Sequence, residues 1–398
     1  MWRDAKPDGS PPNNWLSEFG GSAWEWDEAT GQYYYHDYLK EQPDLNWRNP
    51  EVREAMLDVL RFWLERGVDG FRVDAIHQLF EDEQLRDNPP NPLWYEGMPP
   101  SRKLIREHTM DQPEVHDAVA AMRRLADSYG SRLLIGEAYL PMDRLMAYYG
   151  ENLDGFHLPF NFHLIFTPWH PVAVSTLVQA YEDALPEGGW PNWVLGNHDR
   201  SRVASRVGPE QARIGAMLLL TLRGTPTIYQ GEEIGMPDVP ISPERAQDPW
   251  GKNVPGMGRD PERTPMQWDS TARAGFSGVE PWLPLSPDHA ELNAAAQESD
   301  PTSMLSLYRA LIDLRRSEPA LSVGRYVPGV SDEALLSYER RHEDRRLLVA
   351  LNMSDTAGSL PNVPPGRILV STFLDRRDER PAEALDLRPN EGVVIALD

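Results

Sequence analysis

One order of elements recurs between residues 49 and 233: an amphipathic helix, then a short apolar run that ends in polar or charged residues. Asn49-Pro50-Glu51 opens the first helix, with Asn49 suited to the N-cap and Pro50 to the first helical position. Val52, Met56, Val59, Leu60, Trp63 and Leu64 then recur at helical spacing, and Gly67 ends the helix. Val68-Asp69-Gly70-Phe71-Arg72-Val73-Asp74-Ala75 follows as a buried strand with charges at its C-terminal end. The same order is predicted for a helix over about 113–129 running into 132–137, a helix near 172–185 running into 193–199, and a helix near 211–222 running into 226–233. A weaker strand is expected at 155–158. Repeated helix–strand units imply a parallel sheet between helices. Carboxylates at the strands' C-terminal ends point to a (β/α)8 TIM barrel, which carries its active site at that end.

The order changes on both sides of this region. Residues 1–48 hold many aromatic residues among Gly, Pro and Asn, without helical periodicity, and read as a long loop region without strands or helices. Beyond a helix at about 302–317, apolar runs at 335–338, 347–352, 368–370 and 392–397 read as a small antiparallel β domain. The expected division is therefore a loop remnant at 1–48, a barrel at 49–320 and a C-terminal β-sandwich at 321–398.

Composition excludes several classes of function. A formal charge of −23 should repel phosphate backbones, so no nucleic-acid partner is expected. No apolar run approaches the roughly 18 residues of a membrane span, so no membrane partner is expected. The first residues lack the apolar core of a signal peptide, and there is no Cys. Both features lead us to expect a cytoplasmic protein, and the second rules out disulfides and zinc–thiolate sites.

Three acids end separate predicted strands: Asp74, Glu137 and Asp199. Singly, each would pass for a helix cap or a surface charge. Together, on three matching strand ends, they fit glycoside hydrolysis. That chemistry needs one carboxylate as nucleophile and one carboxylic acid to protonate the leaving oxygen, about 5–5.5 Å apart in retaining enzymes. A third carboxylate can stabilise the cationic transition state. Arg72 lies two residues before Asp74 and so shares its side of the strand, where it would keep Asp74 ionised.

Gly70-Phe71-Arg72-Val73-Asp74-Ala75, Gly136-Glu137-Ala138 and Gly196-Asn197-His198-Asp199 resemble the three central motifs of glycoside hydrolase family 13, the α-amylase superfamily. Gln42-Pro43-Asp44-Leu45-Asn46 resembles the extra motif of its α-glucosidase and oligo-1,6-glucosidase branch. The segment 224–233, Arg259-Asp260 and Arg263-Thr264-Pro265-Met266-Gln267-Trp268-Asp269 also look like that branch. The resemblance implies Asp74 as nucleophile, Glu137 as general acid/base and Asp199 as transition-state stabiliser. Arg72 would support Asp74, His198 would bind a sugar hydroxyl, and Arg263 would recognise the non-reducing-end glucose. Arg202 is either a further sugar contact or an ion-pair partner at the barrel rim.

The family's first motif and first three strands have no counterpart ahead of Asp74. The resemblance therefore implies an N-terminally truncated barrel of five strands, with the strands bearing Asp74 and Tyr229 as sheet edges. No cofactor or metal is expected, because the family's calcium site lies in the missing part. The expected substrate is a small oligosaccharide. Ala75, a small residue after the nucleophile, resembles the pattern of α-1,4-acting members, so maltose and short malto-oligosaccharides are expected. The alternatives are an α-transglucosylase, an oligo-1,6-glucosidase, a sucrose-acting relative or an inactive truncated fragment. A non-catalytic transporter heavy chain would lack the acids.

Overall fold

The computed structural model describes residues 1–398, and these divide into two compact units. The first comprises 1–160 with 186–189 and 248–258, and the second comprises 161–185, 190–247 and 259–398. The boundary expected at residue 48 falls inside the first unit, and the one expected near 320 falls inside the second.

The first unit begins with three short strands, β1 (Trp2–Arg3), β2 (Trp24–Asp27) and β3 (Gln32–Tyr35), in the antiparallel order β1-β3-β2. This corrects the reading of residues 1–48 as free of regular structure. Strands of two to four residues are too short to show alternation, and aromatic packing holds these together. Trp15, Trp24 and Tyr35 are buried with ring centroids 5.5–5.8 Å apart. Helix α1 (Pro50–Glu65) starts as its sequence dictates, with the Asn49 side chain accepting the Glu51 N–H at 3.0 Å. Then follow β4 (Gly70–Val73), helix α2 (Glu114–Asp127), β5 (Leu133–Gly136) and β6 (Leu158–Pro159). These strands form a parallel sheet in the order β4-β5-β6, so β4 is an edge. Val68, Phe71 and Val73 are only half-buried, and Val59, Phe62 and Trp63 of α1 are exposed.

In the second unit the helix Pro171–Ala184 precedes β7 (Asn192–Val194), and the helix Pro209–Thr221 precedes β8 (Thr225–Thr227). β7 and β8 pair in parallel, and the Thr227 hydroxyl donates to the Asn192 side chain at 2.7 Å. Five parallel strands are thus present, three in one unit and two in the other. From Ile214 to Thr221 the helix Pro209–Thr221 is buried on every side, which explains its nearly continuous apolar run.

The C-terminal part holds seven strands: β9 (Arg325–Ser331), β10 (Leu335–His342), β11 (Arg345–Asn352), β12 (Gly358–Pro361), β13 (Gly366–Ser371), β14 (Ala384–Leu387) and β15 (Gly392–Leu397). Five make an antiparallel sheet ordered β13-β15-β11-β10-β9, and β12 pairs with β14. Leu335, Leu348 and Ile395 of the large sheet share a core with Leu360, Leu385 and Leu387 of the small one. The four apolar runs of the sequence became β10, β11, β13 and β15. The other three strands were not foreseen: β9 is largely exposed and contains Pro328 and Gly329, and β12 and β14 have four residues each.

Two arginines close the end of the helix Pro209–Thr221. Arg340, of which nothing is exposed, donates to the carbonyls of Thr221 at 2.6 Å and Gly324 at 2.7 Å. Arg315 donates to Leu220 at 2.9 Å, to Leu222 at 3.0 Å and also to Gly224. The last carbonyls of a helix have no partner within it and carry its negative dipole end, so cations suit them.

Candidate active site

Val73 and Gly136 are register partners on β4 and β5, so the residues that follow them, Asp74 and Glu137, leave the sheet side by side. Arg72 spans the two. Its Nη1 donates to Asp74 Oδ1 at 2.9 Å and its Nη2 to Glu137 Oε2 at 2.5 Å. The two acids differ in surroundings: the Asp74 side chain is 75% exposed and that of Glu137 only 5%. Ala75 has φ 40° and ψ 38°, a left-handed conformation that costs a non-glycine residue free energy. It turns the chain sharply after Asp74, so the acid stands at the strand end.

The main chain of Glu137 is held on both sides. Its N–H donates to the Val73 carbonyl at 2.9 Å, and its carbonyl accepts the Ile76 N–H at 3.1 Å. The buried His77 ring also bonds to the Glu137 backbone. Burial, followed by the nearby Arg106 and Arg102 charges, pulls the His77 pKa down to about 3, so the ring is neutral. Arg106 itself is buried against Glu18 at 2.6 Å and against Asp37. Of the Gln42–Asn46 motif, Asp44 alone turns inward to this cluster, while Gln42, Pro43, Leu45 and Asn46 are exposed. Asp44 accepts the Asp37 N–H at 2.6 Å, and burial and the Asp37 charge push its pKa up to about 7.

In the second unit, Asp199 follows β7 by five residues, in a turn where its N–H donates to the Asn197 side chain at 3.1 Å. Two guanidiniums meet on Asp199 Oδ1, that of Arg259 at 2.9 Å and that of Arg263 at 2.7 Å. Arg263 also donates to the His198 carbonyl at 2.6 Å, and the half-buried His198 ring has its Nε2 3.5 Å from Asp199 Oδ2. Arg259 belongs to a branch motif of the sequence that implies no role for it. Its four-residue spacing from Arg263, across the turn Asp260–Arg263, is the local signal that both could reach one partner.

Arg202 is placed differently from the other site candidates, only 3% exposed. Its guanidinium lies 4.7 Å from the Tyr229 ring centroid and donates to the Gln230 carbonyl at 2.8 Å, while its N–H donates to Asp238 at 2.8 Å. Gly231, at φ 97°, leaves room for it: a Cβ there would come within 2.6 Å of Arg202 Nη1. Of the two readings the sequence left open, neither describes these contacts. Arg202 braces the turn after β8, through the Gln230 carbonyl and the Tyr229 ring.

The model for the alpha-amylase catalytic domain matches residues 1–324. The chain belongs to the α-amylase family of glycoside hydrolases. A probable alpha-glucosidase of Rhizobium meliloti (strain 1021) is 38% identical over 413 residues, covering 96% of this chain and 73% of the relative. An alpha-glucosyl transfer enzyme of known structure superposes with a TM-score of 0.92 at 34% identity, covering all of this chain and 77% of that one. The isomaltulose synthase of Erwinia rhapontici NX5, solved with its natural substrate sucrose, gives a TM-score of 0.87 at 30% identity, again over all of this chain and 77% of that one. The chain thus spans about three quarters of the length of these family members. Membership in this family, in its α-glucosidase and oligo-1,6-glucosidase branch, makes the fold that of its (β/α) barrel with a C-terminal antiparallel β domain.

Proposed function

We propose that the chain is a retaining α-glucosidase that removes terminal α-1,4-linked glucose from maltose and short malto-oligosaccharides. The observation that carries this reading is the single Arg72 guanidinium that donates to both Asp74 and Glu137, the pair of acids that double displacement needs side by side. In the first step, the Asp74 carboxylate attacks the anomeric carbon while Glu137 protonates the departing oxygen, leaving a β-glucosyl ester. In the second, Glu137 takes a proton from water, which attacks the same carbon, and Asp74 departs as carboxylate. Two inversions restore the α configuration. Asp199 stabilises the positive charge that develops on the sugar, His198 binds a hydroxyl, and Arg263 recognises the non-reducing-end glucose. Proton NMR of fresh maltose digests tests the pathway: α-glucose should appear first, and β-glucose as the initial product would overturn it.

Arg259 enters this scheme as the second cation on Asp199. Removing one charge-assisted hydrogen bond costs about 1.5–3 kcal/mol, so Arg259→Ala should lower kcat/KM for maltose roughly 10- to 150-fold. A variant within a factor of two of the parent would show that Arg263 alone suffices.

A second reading is transfer to a sugar acceptor, since water and sugars compete for one covalent intermediate. The similarity to an alpha-glucosyl transfer enzyme and to a sucrose-converting synthase favours it. Assays on maltose, isomaltose and sucrose, each with and without a second sugar, separate the readings by the fraction of glucose released free.

A further inference from the structure

Glu232 has no part in the scheme above, yet it lies directly beneath the segment that carries His198 and Asp199. It begins the short turn Glu232–Ile234 after β8, is 1% exposed, and neither carboxyl oxygen has a hydrogen-bond partner. Its Oε1 occupies the space over Gly196, 2.4 Å from where a Cβ at 196 would stand, with Tyr229 Cβ 3.9 Å from the same point.

The charges around Glu232 are committed elsewhere. Arg206 donates to Ser201 at 3.0 Å and to Leu195, the carbonyls flanking the 196–200 segment, and to Ile165 at 2.7 Å. Arg202 donates to the Gln230 carbonyl at 2.8 Å. Glu233 caps the Gly231 N–H at 2.7 Å and adds like charge, and Tyr308, Tyr229 and Asp238 complete the titratable surroundings. We propose that Glu232 is a positioning residue for His198 and Asp199, acting as a neutral carboxylic acid wedged under Gly196, and that its ionisation loosens this segment and sets an alkaline limit on sugar turnover. The proposal rests on the α-glucosidase reading for its link to turnover.

Burial pushes the Glu232 pKa up to about 8, with the Arg202 and Arg206 charges offsetting only part of the cost. As pH rises past that value, a carboxylate appears beneath Gly196. It competes with the Leu195, Ser201 and Gln230 carbonyls for Arg206 and Arg202, and the ties at the ends of the segment weaken. The linkage has the same direction. The folded chain holds a proton on Glu232 that the unfolded chain loses near pH 4.5, so this group's contribution to stability is full below that pH and is lost as pH climbs to about 8.

The test compares the parent with Glu232→Gln and Glu232→Asp. Glutamine keeps the neutral shape, so kcat on maltose at pH 6 should stay within about threefold while the alkaline fall in kcat/KM moves upward by at least one pH unit. Its melting temperature should also fall less steeply than the parent's between pH 5 and 8. Aspartate withdraws from Gly196 and should raise KM at least tenfold at pH 6. An unmoved alkaline limb in Glu232→Gln, or an unchanged KM in Glu232→Asp, overturns the proposal. If the parent turns over no α-glucoside, the α-glucosidase reading fails by itself. Carbon-13 NMR of glutamate-labelled protein then decides the positioning claim. A carboxyl signal absent from Glu232→Gln should titrate near pH 8, with the His198 ring signals moving at the same pH in the parent only. Titration of that signal below pH 6 overturns it.

Discussion

Asp74→Asn should lower kcat on maltose by about 10⁴-fold or more, the scale on which enzymes lose rate when a covalent nucleophile is removed. The amide is nearly isosteric and cannot form the glucosyl ester. The loss should be purely chemical. The Asp74 side chain is 75% exposed and its partner Arg72 keeps Glu137 as a second acceptor, so the stability measured by urea unfolding should change by no more than about 0.5 kcal/mol. Glu137→Gln separates the two acids. It should regain the first step on an aryl glucoside whose leaving group needs no proton, as a burst of released phenol, whereas Asp74→Asn should show no burst on any substrate. More than a tenth of parental turnover in Asp74→Asn would sink the assignment of the nucleophile.

Arg340→Ala should be the most destabilising single substitution outside the candidate site, at about 3–5 kcal/mol. The guanidinium is wholly buried and serves the carbonyls of Thr221 and Gly324, which alanine would leave without a donor around a new cavity. Arg340→Met fills much of the volume and restores neither hydrogen bond, so it should recover only part of the loss. Urea unfolding followed by tryptophan fluorescence measures both. A cost below about 1 kcal/mol for alanine would mean that water replaces the guanidinium without penalty.

The main elements of this chain were legible in its sequence because their signals are local. Asn49 and Pro50 mark a helix start by the geometry of one turn, and the helix spacing from Val52 to Leu64 survives whatever packs against it. The positions of Asp74, Glu137 and Asp199 followed from strand ends, which the charge pattern marks directly. Features whose cause lies far along the chain were not legible. β1 to β3 exist because Trp15, Trp24 and Tyr35 pack together, and no stretch of four residues encodes that. The sharing of Arg72 between Asp74 and Glu137 links residues 65 apart, and the meeting of Arg259 with Asp199 links residues 60 apart. Arg202 read as a sugar contact or a rim ion-pair partner because an arginine beside a catalytic motif is polar in any sequence, and only the tertiary structure set it against the Tyr229 ring and the Gln230 carbonyl. Glu232 and Arg340 look like surface charges in sequence for the same reason. Burial is a property of what surrounds a residue, and for these two the surroundings come from segments up to 119 positions away.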